Sequence, residues 1–288
     1  MSASSVPKIA NAYYTRSTTA AGVFNSTRWT VGPWSPKLQH GGPPAALLTK
    51  AIEDAAKSFN CPLVTRMTFL LFKPIPVIPL RVSVEPIRKG KNVTHLQASL
   101  FDASKDENNE LFRAVALCTR DACFKEHAPA AAPEHQTPLP PKLPSRADAK
   151  KTTLASMSEN GYSDSLDIYN VAGEHGNGPT THWAKSKVDL VEGEATSPMQ
   201  DVLILADSAG GLSFYVDFMS VSFLNADMTI NFLRTGDRGI ELEDRFVGME
   251  ARTDLAPTQG TGLARATMFD RHGPCAFVTH SQLLQSRM

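Results

Sequence analysis

The apolar positions of this chain fall into two series of the same kind. Ala45, Ala46, Leu47, Leu48, Ala51, Ile52 and Ala55 recur at helical spacing. Pro43-Pro44 precede them, at a helix start where a missing N–H costs little. Strand-like runs follow this predicted helix at Arg66–Phe72, Leu80–Arg88, Val93–Asp102 and Leu111–Arg120. In the third run Leu96, Ala98 and Leu100 alternate with Gln97 and Ser99, the period of an antiparallel strand with one buried face. Lys89-Gly90-Lys91-Asn92 reads as the hairpin turn before it, because Gly and Asn tolerate positive φ. The second half has the same order. A helix is predicted over about Met199–Phe214, with strands near Phe223–Arg234, Ile240–Ala251, Gly262–Asp270 and Cys275–Leu284.

The two series also share residues. Arg66-Met67-Thr68-Phe69-Leu70-Leu71-Phe72-Lys73 parallels Asp227-Met228-Thr229-Ile230-Asn231-Phe232-Leu233-Arg234. Ala98-Ser99-Leu100-Phe101-Asp102 parallels Ala266-Thr267-Met268-Phe269-Asp270. Two matches in the same order argue for an internal duplication. Residues 124–150 are rich in Pro and Ala and lack apolar periodicity, which is linker composition. The expected organisation is therefore an N-terminal repeat over 1–123, a linker over 124–150 and a C-terminal repeat over 151–288. A helix followed by a strongly bent antiparallel sheet that wraps it is the hotdog unit. Two such units pair edge to edge, which removes an exposed edge from each. The expected fold class is α+β, a double hotdog of two helix-plus-antiparallel-sheet repeats fused in one chain.

Composition narrows the function. The 288 residues carry 42% hydrophobic and 20% charged side chains, enough for a packed core. Formal net charge is zero, so there is no basic field to attract nucleic acid or anionic membrane. No apolar run approaches the ~20 residues that span a bilayer. The N-terminal stretch lacks an apolar leader core, so secretion is not expected. Cys61, Cys118, Cys123 and Cys275 form no CxxC pair, and no His cluster has zinc spacing. Neither metal nor cofactor is expected. Cys118 reads as a small core residue, in keeping with a reduced compartment. The final Ser286-Arg287-Met288 is similar to the Ser-Lys-Leu peroxisomal address, so peroxisome and cytoplasm are the two expected locations.

Two segments carry candidate chemistry, one in each half. His40-Gly41-Gly42 opens the first helix, and Leu205-Ala206-Asp207-Ser208-Ala209 lies on the second. In small single-domain hotdog thioesterases HGG and LADxA share one helix, and here each half resembles the part that the other lacks. Nine residues after His40 stands Thr49, and nine before Asp207 stands Pro198. That complementary loss fits a fused pair with one surviving site. From about Trp29 to Arg287 the chain resembles the double-hotdog acyl-CoA thioesterases of type II, the TesB-like family. The resemblance rests on Gly41-Gly42, Phe72-Lys73-Pro74, Ile87-Arg88-Lys89-Gly90-Lys91, Leu205-Ala206-Asp207 and Gln282 five residues before Arg287. It implies a catalytic set of Asp, a hydroxyl residue and Gln. Asp207 and Gln282 take two of those positions. The hydroxyl position falls on Asn225, a departure, although Asn can still donate to and accept from water.

The expected chemistry follows from these groups. Asp207 deprotonates water or attacks the thioester itself, and partial burial among apolar helix neighbours would raise its basicity. Asn225 and Gln282 orient the water. At the positive end of the first helix, free N–H groups of Gly41 and Gly42 face the substrate, with Gly42 expected to polarise the thioester oxygen. His40 either orients substrate or caps the helix, and capping or packing is the expectation. Trp29–Pro36 either walls the acyl pocket or packs the N-terminal strand. Arg88, Lys89 and Lys91 either meet the CoA phosphates or are simply solvated. The expected function is hydrolysis of an acyl-CoA to free acid and CoA. The alternative is a non-hydrolytic hotdog enzyme, a dehydratase, isomerase or cyclase acting on a polyketide-like or CoA-linked intermediate. The His-Asp pair that hotdog hydratases carry is not apparent within either motif. Assembly into a homo-oligomer of double hotdogs stays open.

Overall fold

The computed structural model describes residues 10–105, 109–121, 143, 145–154, 161–174, 176–217, 220–235 and 239–286. The first half contains strands β1 (Ala12–Arg16) and β2 (Val23–Ser26), helix α1 (Gly42–Ala56), then β3 (Leu63–Leu71), β4 (Pro79–Arg88), β5 (Val93–Asp102) and β6 (Glu110–Thr119). The second half opens with β7 (Lys150–Thr152), α2 (Gly161–Asp164), β8 (Leu166–Ala172), β9 (Thr180–Ser186) and β10 (Asp189–Val191). It continues with α3 (Pro198–Ala206), α4 (Ala209–Ser213), β11 (Val221–Asn225), β12 (Asp227–Phe232), β13 (Val247–Ala256), β14 (Thr261–Asp270) and β15 (Gly273–Ser286).

All the strands join one sheet in the order β10-β1-β2-β4-β5-β6-β3-β12-β15-β14-β13-β9-β8-β7, with β11 paired to β15 beside that path. The halves meet at β3 and β12, which run antiparallel with Thr68 opposite Thr229. These two residues are equivalents in the sequence repeat, and Arg66 and Leu70 pair symmetrically about them with Asn231 and Asp227. The seam is thus a self-complementary, two-fold-like edge pairing inside one chain. Outward from it β6, β5 and β4 mirror β15, β14 and β13, so the double hotdog expected from the sequence is the architecture found.

Helix α1 buries Ala45, Ala46, Leu47, Leu48, Ile52 and Ala56 against the sheet and α3. Each of the larger side chains contributes about 1.5–3 kcal/mol by burial. Helix α3 is buried nearly all round, with Val202, Leu203, Ile204, Leu205 and Ala206 forming its apolar part. Cys118 lies in the core as expected. Among the described residues no helix is long and apolar enough to cross a membrane.

Several expected boundaries are corrected. Each half has strands ahead of its helix, β1 and β2 in one and β7–β10 in the other. The helix expected over Met199–Phe214 is broken at Asp207-Ser208 into α3 and α4. The strand expected over Phe223–Arg234 bends at Ala226, whose N–H and C=O bond to Ser281 and Leu71. The strand expected from Ile240 starts only at Val247, after the positive-φ pair Asp244-Arg245. The Lys89–Asn92 turn does join β4 to β5, but neither Gly90 nor Asn92 has positive φ. Gly90 is required instead for close approach, since a Cβ there would lie 2.4 Å from the Val93 carbonyl oxygen. Of segment 124–150, residues 143 and 145–150 are described. Leu143 packs against Gly248, a 3-10 turn spans Arg146–Asp148, and Lys150 already belongs to β7. The rest of that expectation lies outside the described residues.

The Asp244-Arg245 loop has a structural task. Asp201 of α3 is 3% exposed, and Arg245 donates to both its oxygens, at 3.0 and 2.7 Å for the closest contacts. Removing one partner of a buried pair strands the other charge, which costs about 3–5 kcal/mol. Arg245→Met should destabilise the fold by that amount in denaturant titration, and adding Asp201→Leu should recover much of the loss.

Candidate active site

The site begins with how α1 starts. Gly41 is its N-cap, Gly42 its first residue, and Pro43 and Pro44 fill the second and third positions, so few backbone donors remain there. The Gly42 N–H donates to Nδ1 of His40 at 3.1 Å. His40 therefore makes the capping contact, and the expectation of a free Gly42 amide is corrected. Gly42 is buried, and a Cβ on it would lie 2.1 Å from the carbonyl oxygen of Ile204 in α3. The free amide is that of Gly41: no acceptor among the described residues takes it, and Gly41 lines the cavity. A Cβ on Gly41 would lie 2.7 Å from Oδ2 of Asp207. Both glycines are thus set by close approach of the second half.

Asp207 follows the last residue of α3 directly. Its Oδ2 lies 3.1 Å from His40 Nδ1, and the two side chains are 15% and 12% exposed. A histidine and an aspartate that no single motif contains thus face each other across the seam, although a neutral Nδ1 that accepts from Gly42 has no proton to give this carboxylate. Its Oδ1 accepts from Asn225 Nδ2 at 2.9 Å. Asn225 Oδ1 accepts in turn from Gln282 Nε2 at 3.0 Å. Strand pairing makes this chain of contacts, because Asn225 of β11 stands opposite Gln282 of β15. Gly210 of α4 leaves the room for it, as a Cβ there would be 2.2 Å from Gln282 Nε2. Asp207, Asn225, Gln282, His40 and Gly41 therefore converge, while Gly42 serves the helix contact.

A cavity of about 380 Å3 opens on His40, Gly41, Asp207 and Asn225, and Gln282 stands behind Asn225 without lining it. Its walls come from both halves: Trp34, Leu38 and Phe72 from the first, Phe223, Leu224 and Leu283 from the second. Trp34 meets Phe223 edge to face at 5.3 Å. The two expectations for Trp29–Pro36 divide between its tryptophans. Trp34 lines the cavity, whereas the Trp29 indole donates to the Ala10 carbonyl at 2.9 Å. Arg88, Lys89 and Lys91 do not line it, while Lys73 does.

Sequence reasoning missed two residues here. Tyr162 of α2 stacks on His40 with ring centroids 3.7 Å apart and planes 9° from parallel. Its hydroxyl donates to the Ile204 carbonyl at 2.7 Å and pairs with Ser208 Oγ at 2.8 Å. His280 is fully buried, with Nε2 3.1 Å from the Ala206 carbonyl oxygen. No motif signals Tyr162. His280 had a signal in strand period, since Ala276, Val278, His280 and Gln282 share the buried face of β15.

Burial lowers the imidazole pKa of His40 and of His280, against the opposing pull of Asp207 on both. Both rings are held neutral. Burial also pushes the Tyr162 phenol well above its usual range, so its O–H persists.

Residues 30–119 match the family model described as the acyl-CoA thioesterase N-terminal domain, and residues 129–284 match that of the C-terminal domain. No curated protein matches the chain in sequence. Among solved structures, a conserved hotdog protein of unknown function from Alicyclobacillus acidocaldarius covers 97% of this chain and 98% of its own at TM-score 0.66 and 14% identity. A thioesterase candidate from Novosphingobium aromaticivorans covers 95% and 98% at TM-score 0.64 and 16% identity. The acyl-CoA thioesterase II TesB2 of Mycobacterium marinum covers 94% and 96% at TM-score 0.59 and 12% identity. At these identities the likeness is one of fold.

Two expectations follow from the geometry. Gly42→Ala forces α1 off α3 and should cost about 1–3 kcal/mol as overpacking, read by denaturant titration. Two imidazoles whose folded pKa is depressed make the unfolded chain bind more protons in acid. The contribution of these two rings should therefore be fully present above about pH 6.5 and fall below it, opposed by Glu53 and Asp201, whose carboxyl pKa burial raises. An equilibrium unfolding series across pH 5–7 checks the sign.

Proposed function

The chain belongs to the acyl-CoA thioesterase family and is a thioester hydrolase, and from that premise we propose that Asp207 drives attack of water on an acyl-CoA. The observation that carries this reading is the Asp207–Asn225–Gln282 hydrogen-bonded chain opening on a mostly apolar cavity. The acyl group lies along the apolar walls. The thioester oxygen accepts from the free Gly41 amide, so charge that develops there meets a fixed donor. A water between substrate and Asp207 donates one proton to the carboxylate. Its oxygen bonds to the thioester carbon, the C–S bond breaks, and the CoA thiolate leaves. The proton then passes from Asp207 to bulk water or the thiolate. A thiolate leaves readily, so a carboxylate is a sufficient base.

In this reading Asn225 replaces the hydroxyl that the family carries. Its amide does two jobs at once: Nδ2 donates to Asp207 and Oδ1 accepts from Gln282. A hydroxyl has one proton and two lone pairs, so it can make the same two contacts. His40 is neutral and its Nδ1 is engaged by Gly42, which supports an orienting role beside the carboxylate. Peroxisome and cytoplasm remain the proposed locations.

The His40–Asp207 contact supports a second reading. A carboxylate and an imidazole facing one cavity could move a proton at the carbon next to a thioester carbonyl, as reversible dehydration requires. Nothing in that chemistry calls for Asn225 and Gln282, which favours hydrolysis.

An acyl-CoA panel read by thiol release separates the two. Hydrolysis should release thiol from at least one saturated acyl-CoA. Asp207→Asn should lower kcat by about 10²-fold or more with little change in KM. Asn225→Thr should stay within about tenfold of wild type, while Asn225→Leu should not. Water addition to an enoyl-CoA with no thiol release from any thioester would select the second reading.

A further inference from the structure

Helix α3 stops at Ala206, although no Pro follows and the sequence pattern runs on to Phe214. Something other than local propensity ends it. In a continuous helix the Ile204 carbonyl would accept from the Ser208 N–H, and the Ala206 carbonyl from the Gly210 N–H. Here the Ser208 N–H turns to the Leu205 carbonyl at 2.9 Å. The Ile204 carbonyl accepts instead from the Tyr162 hydroxyl at 2.7 Å. The Ala206 carbonyl is met by His280 Nε2 at 3.1 Å.

We propose that His280 and Tyr162 are positioning residues which end α3 just before Asp207, by donating to two carbonyls that an unbroken helix would use itself, and so aim the Asp207 carboxylate at Gly41.

Three observations bear this out. The donors come from β15 and from α2, so the break is imposed by tertiary structure. The partner of His280 is a carbonyl, which can only accept, so Nε2 must carry the ring proton. His280 Nδ1 is buried with no hydrogen-bond partner. The consequence for geometry is direct. Asp207 and Ser208 keep helical φ and ψ through the break, so the two bonds hold a tightened turn from which the carboxylate reaches Asn225 and the space that Gly41 leaves for Oδ2. Tyr162 links the break to the other half as well, because its ring stacks on His40 and its own N–H donates to the Val31 carbonyl at 3.0 Å.

The inference rests on the hydrolytic reading for its kinetic test and stands apart from it in its spectroscopic one. In the kinetic test, thiol release is followed for wild type, His280→Leu, His280→Gln and Tyr162→Phe. His280→Leu should lower kcat by about tenfold or more and leave KM within about threefold. His280→Gln, whose amide nitrogen reaches the place of Nε2, should return kcat to within about threefold of wild type. Tyr162→Phe keeps the stack on His40 and should lower kcat alone. A leucine variant within about twofold of wild type, or a glutamine variant no better than leucine, overturns the proposal. The spectroscopic test uses unmodified enzyme without substrate, so it holds even where His280→Leu does not fold. Long-range 15N correlation of His280 should report a neutral ring protonated at Nε2 at neutral pH. A ring protonated at Nδ1, or a charged ring, overturns the proposal. A wild type inert to every thioester defeats the hydrolytic reading instead and leaves the tautomer result to decide this one.

Discussion

The closeness of α1 to the end of α3 governs everything at the site. A side chain at residue 42 would overlap the Ile204 carbonyl, and one at 41 would overlap the Asp207 carboxylate. Glycine at both positions lets two helices from different halves touch through backbone. That contact brings a free amide from the first half beside a carboxylate from the second. Neither half alone holds the constellation. The seam pairing of β3 with β12 sets the distance, and its central pair Thr68–Thr229 joins hydroxyls at 3.2 Å.

Two-fold-like geometry raises the question of a second site at the other end of the helix pair. There the start of α3 meets the later turns of α1. Ser197 and Gln200, the capping box of α3, both donate to Glu53, at 2.9 and 2.7 Å. Lys50 reaches Glu194 at 2.9 Å, and Arg16 pairs with the same carboxylate. The polar groups at that end satisfy one another. Thr49, where a carboxylate would stand in a working copy, donates to its own helix at Ala45. The duplicated fold has become asymmetric in chemistry while staying symmetric in strands.

Much of this was legible in the sequence, and the physics explains which part. Long strands with one buried face announce themselves by alternation, so β5, β6, β14 and β15 were found close to their true limits. Helix α1 was found from Pro43-Pro44 and its apolar face. The short strands β1, β2, β7 and β10 have three to five residues, too few for a period to emerge. The break in α3 is written by side chains far away in sequence, Tyr162 and His280, so no local reading could locate it. Asp207, Asn225 and Gln282 were found through spacing and resemblance, and strand register explains why they meet. The Gly42 N–H is taken up by His40, a bond that depends on a ring orientation which a sequence does not display.

In the proposed hydrolysis one site, built by two halves, sets Asp207 and the Gly41 amide side by side facing the thioester. A crystal structure with a ketone analogue of an acyl-CoA, in which CH2 replaces sulfur, tests this most directly. The carbonyl oxygen should lie about 3 Å from the Gly41 nitrogen, with a water between the carbonyl carbon and Asp207. An acyl group bound elsewhere, or a carbonyl turned away from Gly41 with no water reaching Asp207, would contradict it.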